Sequence, residues 1–137
     1  MAVEILEVGD VMTPWALTED ENASVTKLSK AMEVSGVGSV VITREGKPVG
    51  IVTDRDIALK SAMKDRKASK ISAKEIMSSP LITIAPDALL DKACALLSEK
   101  GIRRLPVIDD DTLVGILSVR NILTRNPTSV TKFYPSK

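Results

Sequence analysis

The chain of 137 residues has the length of one ordinary domain, and its 44% hydrophobic and 27% charged residues are typical of a soluble globular protein. A formal net charge of +1 gives no overall attraction to nucleic acid or to an anionic membrane surface. The lack of histidine excludes histidine-based triads and histidine-bound metals, and the single cysteine, Cys94, excludes an intramolecular disulfide.

The distribution of apolar and charged residues along the chain indicates where in the cell the protein is found. No apolar run reaches the roughly 18 residues of a membrane span, and residues 1–10 carry acids where a signal peptide carries bases. We therefore expect a cytoplasmic protein. Cys94 is expected to be an inert, buried residue.

A strand and a helix come first in the predicted order. The strand is predicted around residues 16–18, and the helix follows Asn22, a residue type that serves well as an N-cap. Gly36 marks the end of this helix. Its buried face is predicted from apolar residues at helical spacing, Val25, Leu28 and Met32.

A hairpin and a closing helix follow. Residues 39–43 and 48–52 are short runs of β-branched and apolar residues, and turn-forming residues 44–47 separate them. A second helix is predicted to begin near Asp54. The predicted order is therefore strand, helix, strand, strand, helix.

The chain repeats this order 65 residues later, since residues 12–57 align with residues 77–122 without a gap. Most solenoid and propeller repeats have a shorter period of roughly 20–50 residues. We therefore predict a paired, pseudo-twofold domain with a cleft and two quasi-equivalent sites. Residues 1–66 form the first repeat, residues 67–126 the second, and residues 127–137 a C-terminal tail.

The same alignment predicts the elements of the second copy. Asp87 is the predicted cap of its helix, and Gly101 is the predicted end. The predicted buried face consists of Leu90, Ala93 and Leu97. The remaining predicted elements are a short strand at residues 81–84, hairpin strands at 104–108 and 113–117, and a closing helix from Val119.

Residues 60–74 form a basic stretch that contains a single acid, Asp65. We interpret the stretch as a solvated helix end and linker, and the alternative is a patch that binds phosphate or nucleic acid. Nucleic-acid binding would be steeply salt-dependent, although aromatic residues for stacking on single strands are almost absent. Ser72 and Glu75 have the spacing of a capping box, which predicts a short helical turn.

Five segments together resemble a known family: VMTP at residues 11–14, GIVTDRDI at 50–57, IMSSP at 76–80, GIRRLPVI at 101–108 and GILSVRNI at 115–122. Each segment alone is a weak motif, but all of them occur in order and in register between the copies. The chain resembles a tandem pair of cystathionine-β-synthase (CBS) domains, an arrangement called a Bateman module. The resemblance covers roughly residues 8–125.

The resemblance implies an α+β fold of two tandem β-α-β-β-α repeats, packed sheet to sheet with pseudo-twofold symmetry. It implies a stand-alone regulatory module, not an enzyme, with no catalytic cofactor and no metal. Such modules bind AMP, ADP, ATP or S-adenosylmethionine between the repeats and signal to a separate partner protein, as in energy sensing. Homodimers that form a disc of four repeats are common in the family.

The resemblance also implies ligand-binding roles for Thr53 and Asp56. The Thr53 hydroxyl would bond a phosphate oxygen, and the Asp56 carboxylate would accept from the vicinal hydroxyls of a ribose. Both residues lie where a strand passes into a helix, at backbone N–H groups that have no partner within the helix. The alternative is that Thr53 and Asp56 only cap that helix, although the two roles can coexist.

The second copy carries Ser118 and Asn121 at these positions. An amide is neutral and offers one acceptor and one donor group, so Asn121 should bond a ribose hydroxyl less well than a carboxylate. We therefore expect two unequal pockets, of which the Asp56 pocket binds better.

Cations and apolar walls complete the predicted site. Phosphate would be held by guanidinium groups, for which the candidates are Arg55, Arg103, Arg104 and Arg120. This charge is one-sided, because Gly38 and Ser39 replace Arg103 and Arg104 in the first copy. The predicted walls around adenine are Leu17, Thr18, Val37, Ile82, Thr83 and Ile102. The alternatives are surface ion pairs for the arginines and ordinary core packing for the walls.

Several roles stay open. Trp15 lies either at an interface or in ordinary packing, and Phe133 and Tyr134 of the tail are either loosely ordered or docked on a partner. Two further hypotheses compete with nucleotide sensing. One is a purely structural dimer, and the other is an enzyme such as a nucleotide hydrolase that would use Asp54 or Asp56.

Overall fold

The computed structural model describes residues 5–125 of the chain. In chain order its helices and strands are α1 (Val8–Val11), β1 (Thr18–Asp20), α2 (Val25–Ser35), β2 (Ser39–Arg44), β3 (Lys47–Thr53), α3 (Asp54–Asp56), α4 (Ala73–Ile76), α5 (Leu90–Lys100), β4 (Arg104–Asp109), β5 (Thr112–Ser118) and α6 (Val119–Arg125). Helix α3 continues as a π-helical turn, Ile57–Ser61, and a 3₁₀ turn, Ala68–Lys70, precedes α4.

These residues form two units whose membership does not follow the order of the repeats. One unit, here called the Asp56 unit, is Leu17–Leu81. The other, here called the Asn121 unit, combines residues 5–16 with residues 82–125. The segment at the start of each sequence repeat therefore belongs to the unit that the other repeat builds. We call these segments the first leader, residues 7–16, and the second leader, residues 72–81.

The central helices α2 and α5 form where the apolar spacing predicts them. The predicted faces are buried, and Cys94 is buried beside the face of α5. Both helices end as predicted at glycines in the left-handed region, Gly36 with φ 67° and Gly101 with φ 63°.

The predicted N-caps of both central helices are wrong. Helix α2 is capped by Ser24, whose Oγ accepts a hydrogen bond from the Lys27 N–H at 3.1 Å, and Asn22 lies in the preceding turn. Helix α5 has Leu89 at the cap position instead of Asp87, and no side chain caps it. Its first N–H group, that of Leu90, donates instead to the Leu6 carbonyl at 2.8 Å.

Both predicted hairpins are present. Strand β2 pairs with β3 and β4 pairs with β5, antiparallel in each case. The turn of the first hairpin has positive φ at Glu45 and Gly46, and that of the second has positive φ at Asp110 and Asp111. The short first strand is present only in the Asp56 unit, where β1 pairs in parallel with β2 to give a three-stranded sheet.

The strand predicted at residues 81–84 is reduced to an isolated bridge between Ile84 and Val107. In the Asp56 unit the Val41 N–H donates to the Leu17 carbonyl at 2.8 Å. The residue that matches Val41 in the second copy is Pro106, which has no N–H to donate. A single ladder position therefore explains why this sheet has two strands.

Each unit has its own hydrophobic core. In the Asn121 unit the core includes Val8 and Val11 of the first leader, packed with residues of α5, β4, β5 and α6. In the Asp56 unit it includes Ala73 and Ile76 of the second leader, packed with residues of α2, β2 and β3. The leaders therefore contribute buried apolar surface to these units as well as backbone hydrogen bonds.

Backbone pairing ties each leader to a hairpin strand. Thr13 and Ile116 exchange two N–H···O hydrogen bonds, at 2.9 and 3.0 Å, and Ser78 and Ile51 exchange two, at 2.9 and 3.2 Å. The approach is so close that a Cβ on Gly115 would overlap the Thr13 carbonyl oxygen. Each leader can lie against its strand because a glycine precedes the paired residue in that strand.

Replacing Gly115 by alanine should therefore destabilise the protein. The added Cβ collides with backbone of the first leader, so we expect a loss of about 1–3 kcal/mol in the free energy of unfolding. Chemical denaturation of the Gly115→Ala variant measures it. The control is Gly9→Ala, whose Cβ would lie 3.2 Å from the Pro86 carbonyl oxygen and needs only a small shift. Equal unfolding free energies for the two variants would contradict this account of leader packing.

The basic stretch between the repeats is tied into the Asp56 unit by Glu75. As predicted, Ser72 and Glu75 form a capping box at the start of α4, and the Arg66 guanidinium pairs with the same carboxylate. The pKa of Glu75 falls from 4.5 to about 2, first because the Ser72 N–H donates to it and then because Arg66 bonds it. The ionised form of Glu75 therefore holds the start of the second leader.

This lowered pKa makes part of the stability dependent on acid. A carboxylate with a depressed pKa stabilises the fold above its ordinary value of 4.5, and the contribution is lost as the pH falls towards about 2. Wild type should exceed Glu75→Gln in urea midpoint at pH 7, and the two midpoints should converge near pH 2. Glu99→Gln, at an exposed position of α5, is the control. If the difference in urea midpoint between wild type and Glu75→Gln persists unchanged near pH 2, ionisation of Glu75 is not what stabilises the fold.

Candidate functional site

Thr53 and Asp56 form a closed capping box at the start of α3. The Thr53 N–H donates to Asp56 Oδ2 at 2.9 Å, and the Asp56 N–H donates to Thr53 Oγ1 at 3.1 Å. The capping role that the sequence left open is therefore present. The proposed ligand role is compatible with it, because only Oδ2 of Asp56 takes part in the cap.

The other oxygen of Asp56 faces a cation that is not among the site residues predicted from the sequence. Lys60 Nζ lies 3.2 Å from Asp56 Oδ1, one helical turn further along the chain. The same Nζ donates to the Ile76 carbonyl of the second leader at 3.4 Å. The four-residue spacing of Asp56 and Lys60 is the signal that could have indicated this pair. A ligand hydroxyl that bonds Oδ1 must share it with Lys60 or displace Lys60.

Ser118 and Asn121 repeat the cap at the start of α6. The Ser118 N–H donates to Asn121 Oδ1 at 2.9 Å, and the Asn121 N–H donates to Ser118 Oγ at 3.0 Å. The Asn121 amide also donates from Nδ2 to Thr13 Oγ1 of the first leader at 3.2 Å. The replacement of aspartate by asparagine thus keeps the cap and adds a bond to the leader. Sequence alone gave no signal for Thr13, because 108 residues separate it from Asn121.

A cavity of about 350 Å³ opens beside Ser118 in the Asn121 unit, and three arginines line it. Its lining residues are Arg103, Arg104, Ser118, Val119, Arg120, Leu123 and Thr124. Four of the predicted ligand-binding residues therefore lie together. Within residues 5–125, no carboxylate forms an ion pair with any of these arginines. The alternative of surface ion pairs does not apply to them in the described part of the chain.

The Asp56 unit has a cavity of about 400 Å³ with a different lining. Its residues are Ser29, Met32, Glu33, Gly36, Val37, Gly38, Asp54 and Ile57, and only Val37 belongs to the predicted site. Its charged groups are the acids Glu33 and Asp54. Arg55 is exposed and is not among the lining residues. The structure thus brings three of the four predicted cations, Arg103, Arg104 and Arg120, together in the Asn121 unit, and no arginine lines the cavity of the Asp56 unit.

The predicted adenine walls are distributed between core and surface. Leu17 packs on the core of the Asp56 unit, while Ile82 and Ile102 pack on that of the Asn121 unit. Thr18 and Thr83 are exposed. Trp15 is 47% exposed, and the tail with Phe133 and Tyr134 lies outside the described residues.

The described residues contain no cluster of acidic or cysteine side chains arranged to hold a metal ion. Among them there is also no helix that is long and apolar enough to cross a membrane. At the two caps and in the two cavities, the polar side-chain groups are hydroxyls, guanidinium groups, the Asn121 amide, the Lys60 ammonium group and a few carboxylates. Such a set suits an anionic or hydroxylated organic ligand.

Comparison with known proteins identifies the class that this fold and site define. The family model described as "CBS domain" matches residues 8–62 and again residues 73–127. The chain belongs to the CBS-domain family and carries two CBS domains in tandem, a Bateman module. The predicted family and the predicted mixed α+β fold class are thereby confirmed.

Among individual relatives, the chain is 36% identical to the uncharacterised protein MK0525 of Methanopyrus kandleri over 89% of this chain, and it spans 63% of that protein's length. It is 32% identical to the CBS domain-containing protein YhcV of Bacillus subtilis, covering 84% of this chain and 81% of YhcV. A solved structure of the CBS domain pair of protein MJ0100, in complex with 5-methylthioadenosine and S-adenosylmethionine, matches with a TM-score of 0.81. Identity to it is 28%, and the match covers 92% of this chain and 99% of that one.

The two capping hydroxyls should contribute to stability without any ligand. Replacing Thr53 or Ser118 by alanine removes an N-cap acceptor, which costs about 1 kcal/mol in unfolding free energy. Thermal or urea denaturation in nucleotide-free buffer measures it. The conservative exchange Thr53→Ser keeps the hydroxyl and serves as the control. Full stability of both alanine variants would mean that the caps contribute nothing measurable.

Proposed function

We propose that the chain is a regulatory module that binds an adenosine-containing ligand and passes the occupancy signal to a separate partner protein. The observation that carries the proposal is the arginine-lined cavity beside the Ser118–Asn121 cap, in a chain of the CBS-domain family. The complex of the MJ0100 pair with S-adenosylmethionine and 5-methylthioadenosine supports adenosine as the common part of the ligand. The candidates are AMP, ADP, ATP and S-adenosylmethionine.

The residues have distinct roles in this proposal. Asp56 accepts from ribose hydroxyls through Oδ1, which the cap leaves open, and Thr53 bonds a phosphate oxygen. Asn121 and Ser118 play the matching parts in the Asn121 unit. The arginines that would bind phosphate are Arg55, Arg103, Arg104 and Arg120. The side chains that would pack around adenine are Leu17, Thr18, Val37, Ile82, Thr83 and Ile102.

Ligand binding would act through the leaders. Asp56 reaches the second leader through Lys60, and Asn121 reaches the first leader directly through Thr13. A ribose that competes for the Asp56 carboxylate or the Asn121 amide would loosen these contacts, and a ligand can bias a conformational equilibrium only through such differential contacts. We propose that this bias is what a partner protein reads, and that the module itself catalyses nothing.

We also propose a homodimer. Leu59 and Met63 are 50% and 84% exposed on the helical segment after Asp56, four residues apart and so on one face. The position of Leu59 is held by Thr124 in the second copy, so the apolar pair belongs to the Asp56 unit alone. A second copy of the chain, as in the discs that family members form, is the partner that would cover this face.

Calorimetry with AMP, ADP, ATP, S-adenosylmethionine and 5-methylthioadenosine tests the binding proposal. The sharpest variant is Asp56→Asn, because Asn121 forms the same cap in the other unit and the fold should therefore be kept. It removes the charged acceptor, so affinity in the Asp56 unit should fall about tenfold.

Two comparisons complete this experiment. Asp87→Ala changes an exposed carboxylate outside both cavities and should bind like wild type. If neither Asp56→Asn nor Asp56→Ala alters any ligand's binding, the assignment of Asp56 is wrong. If no adenosine compound binds to wild type, the proposed function is wrong, and the structural-dimer hypothesis takes its place.

A further inference from the structure

The two cavities differ in charge in one consistent direction. At matching positions the Asp56 unit has Gly38, Ser39 and Asp54 where the Asn121 unit has Arg103, Arg104 and Val119. Among the residues that line either cavity, one further difference changes charge, Glu33 against Ser98. All of these differences make the Asn121 unit more positive. The asymmetry is therefore a property of the whole lining and does not depend on one substitution.

The positive charge in the Asn121 cavity has no internal counter-charge. No carboxylate lines this cavity, and none between residues 5 and 125 pairs with Arg103, Arg104 or Arg120. Arg104 is half-buried, so the repulsion between its guanidinium group and the neighbouring arginines is screened less than it would be in open solvent. Such an arrangement is relieved by an anion with several negative oxygens.

The neutral amide of Asn121 keeps negative charge away from the arginine-lined cavity. Asn121 Oδ1 receives the Ser118 hydroxyl at 2.9 Å, and Ser118 lines the cavity. A carboxylate there would offset part of the arginine charge and repel phosphate oxygens, whereas asparagine keeps the cap without the charge. The Asp56 unit does the opposite, because it has a carboxylate and pairs it with Lys60.

We propose that the Asn121 cavity is a polyphosphate pocket that selects adenosine ligands by their number of phosphates. It favours ATP and ADP over AMP, and it disfavours uncharged 5-methylthioadenosine and S-adenosylmethionine, whose sulfonium and amino groups are cationic. The inference rests on the proposed adenosine binding and adds its specificity. It also reverses the expected order of the two pockets, since Asn121 marks the stronger site for phosphorylated ligands.

The test is an affinity series measured by calorimetry with adenosine, AMP, ADP and ATP, at fixed ionic strength and without divalent cations. Affinity should rise along the series, with ATP at least about tenfold tighter than adenosine, because each added phosphate meets unpaired guanidinium groups. Inorganic tripolyphosphate should compete with ATP. Raising the salt concentration should weaken ATP binding more than adenosine binding.

Three variants assign the preference to the cavity. Arg103→Ala combined with Arg104→Ser, which takes the side chain found at Ser39, should lower the ATP-to-adenosine affinity ratio roughly tenfold. Asn121→Asp should lower the same ratio while it keeps the cap, as Asp56 does. Lys92→Ala removes one positive charge from an exposed position of the same unit and should leave the ratio unchanged.

The possible outcomes distinguish failure of the polyphosphate pocket from failure of the proposed function. Equal affinities for adenosine and ATP would overturn the polyphosphate pocket and leave adenosine binding intact. A rising series that persists in the double arginine variant would overturn the assignment to Arg103 and Arg104. Failure of every compound in the series, and also of S-adenosylmethionine, to bind would overturn the proposed function itself.

Discussion

The fold depends on a backbone contact that only glycine permits. Each leader lies against a hairpin strand at Gly50 or Gly115, and paired N–H···O bonds to the next residue of the strand hold it there. A side chain at either glycine would occupy the space of the leader backbone. Because apolar residues of the leader then fill the core below, this one approach decides both the strand's neighbour and the composition of the core.

The caps at Thr53 and Ser118 place the proposed ligand contacts on side chains that the fold already holds in position. The backbone leaves each β strand, turns into a helix and needs acceptors for N–H groups that have no helical partner. Asp56 and Asn121 meet that need with one oxygen, so each side chain is already fixed in orientation before a ligand arrives. A side chain ordered in advance loses little further conformational entropy when it binds, which favours affinity.

The sequence predicted the elements well because its signals are local. Apolar spacing, glycines at helix ends and β-branched runs act over a few residues, and the predicted helices and hairpins followed them. The caps failed for the same reason: the Leu90 N–H bonds the carbonyl of Leu6, so Asp87 was not needed. Likewise a proline at Pro106 removed a strand that a pattern of apolar residues could not exclude.

The candidate site was predictable where the two copies could be compared and unpredictable where distant segments meet. The alignment set Arg103 and Arg104 against Gly38 and Ser39, and the arginines do line one cavity. It could not indicate that Thr13 would bond Asn121, because a repeat gives the order of residues and not the unit in which each one packs. Tertiary contacts decide the unit in which a leader packs, and local periodicity in the sequence does not reveal those contacts.

The exchange of leaders has a consequence for how such a chain can arise. Neither repeat contains all the residues of one core, because the first leader completes the Asn121 unit and the second completes the Asp56 unit. A protein with a single copy would complete its core only by borrowing the leader of another molecule, as a domain-swapped dimer does. Gene duplication and fusion would make that borrowing intramolecular. In such a fused chain each copy can change the charges of its own cavity independently, whereas its leader must still fit the core of the unit that the other copy builds.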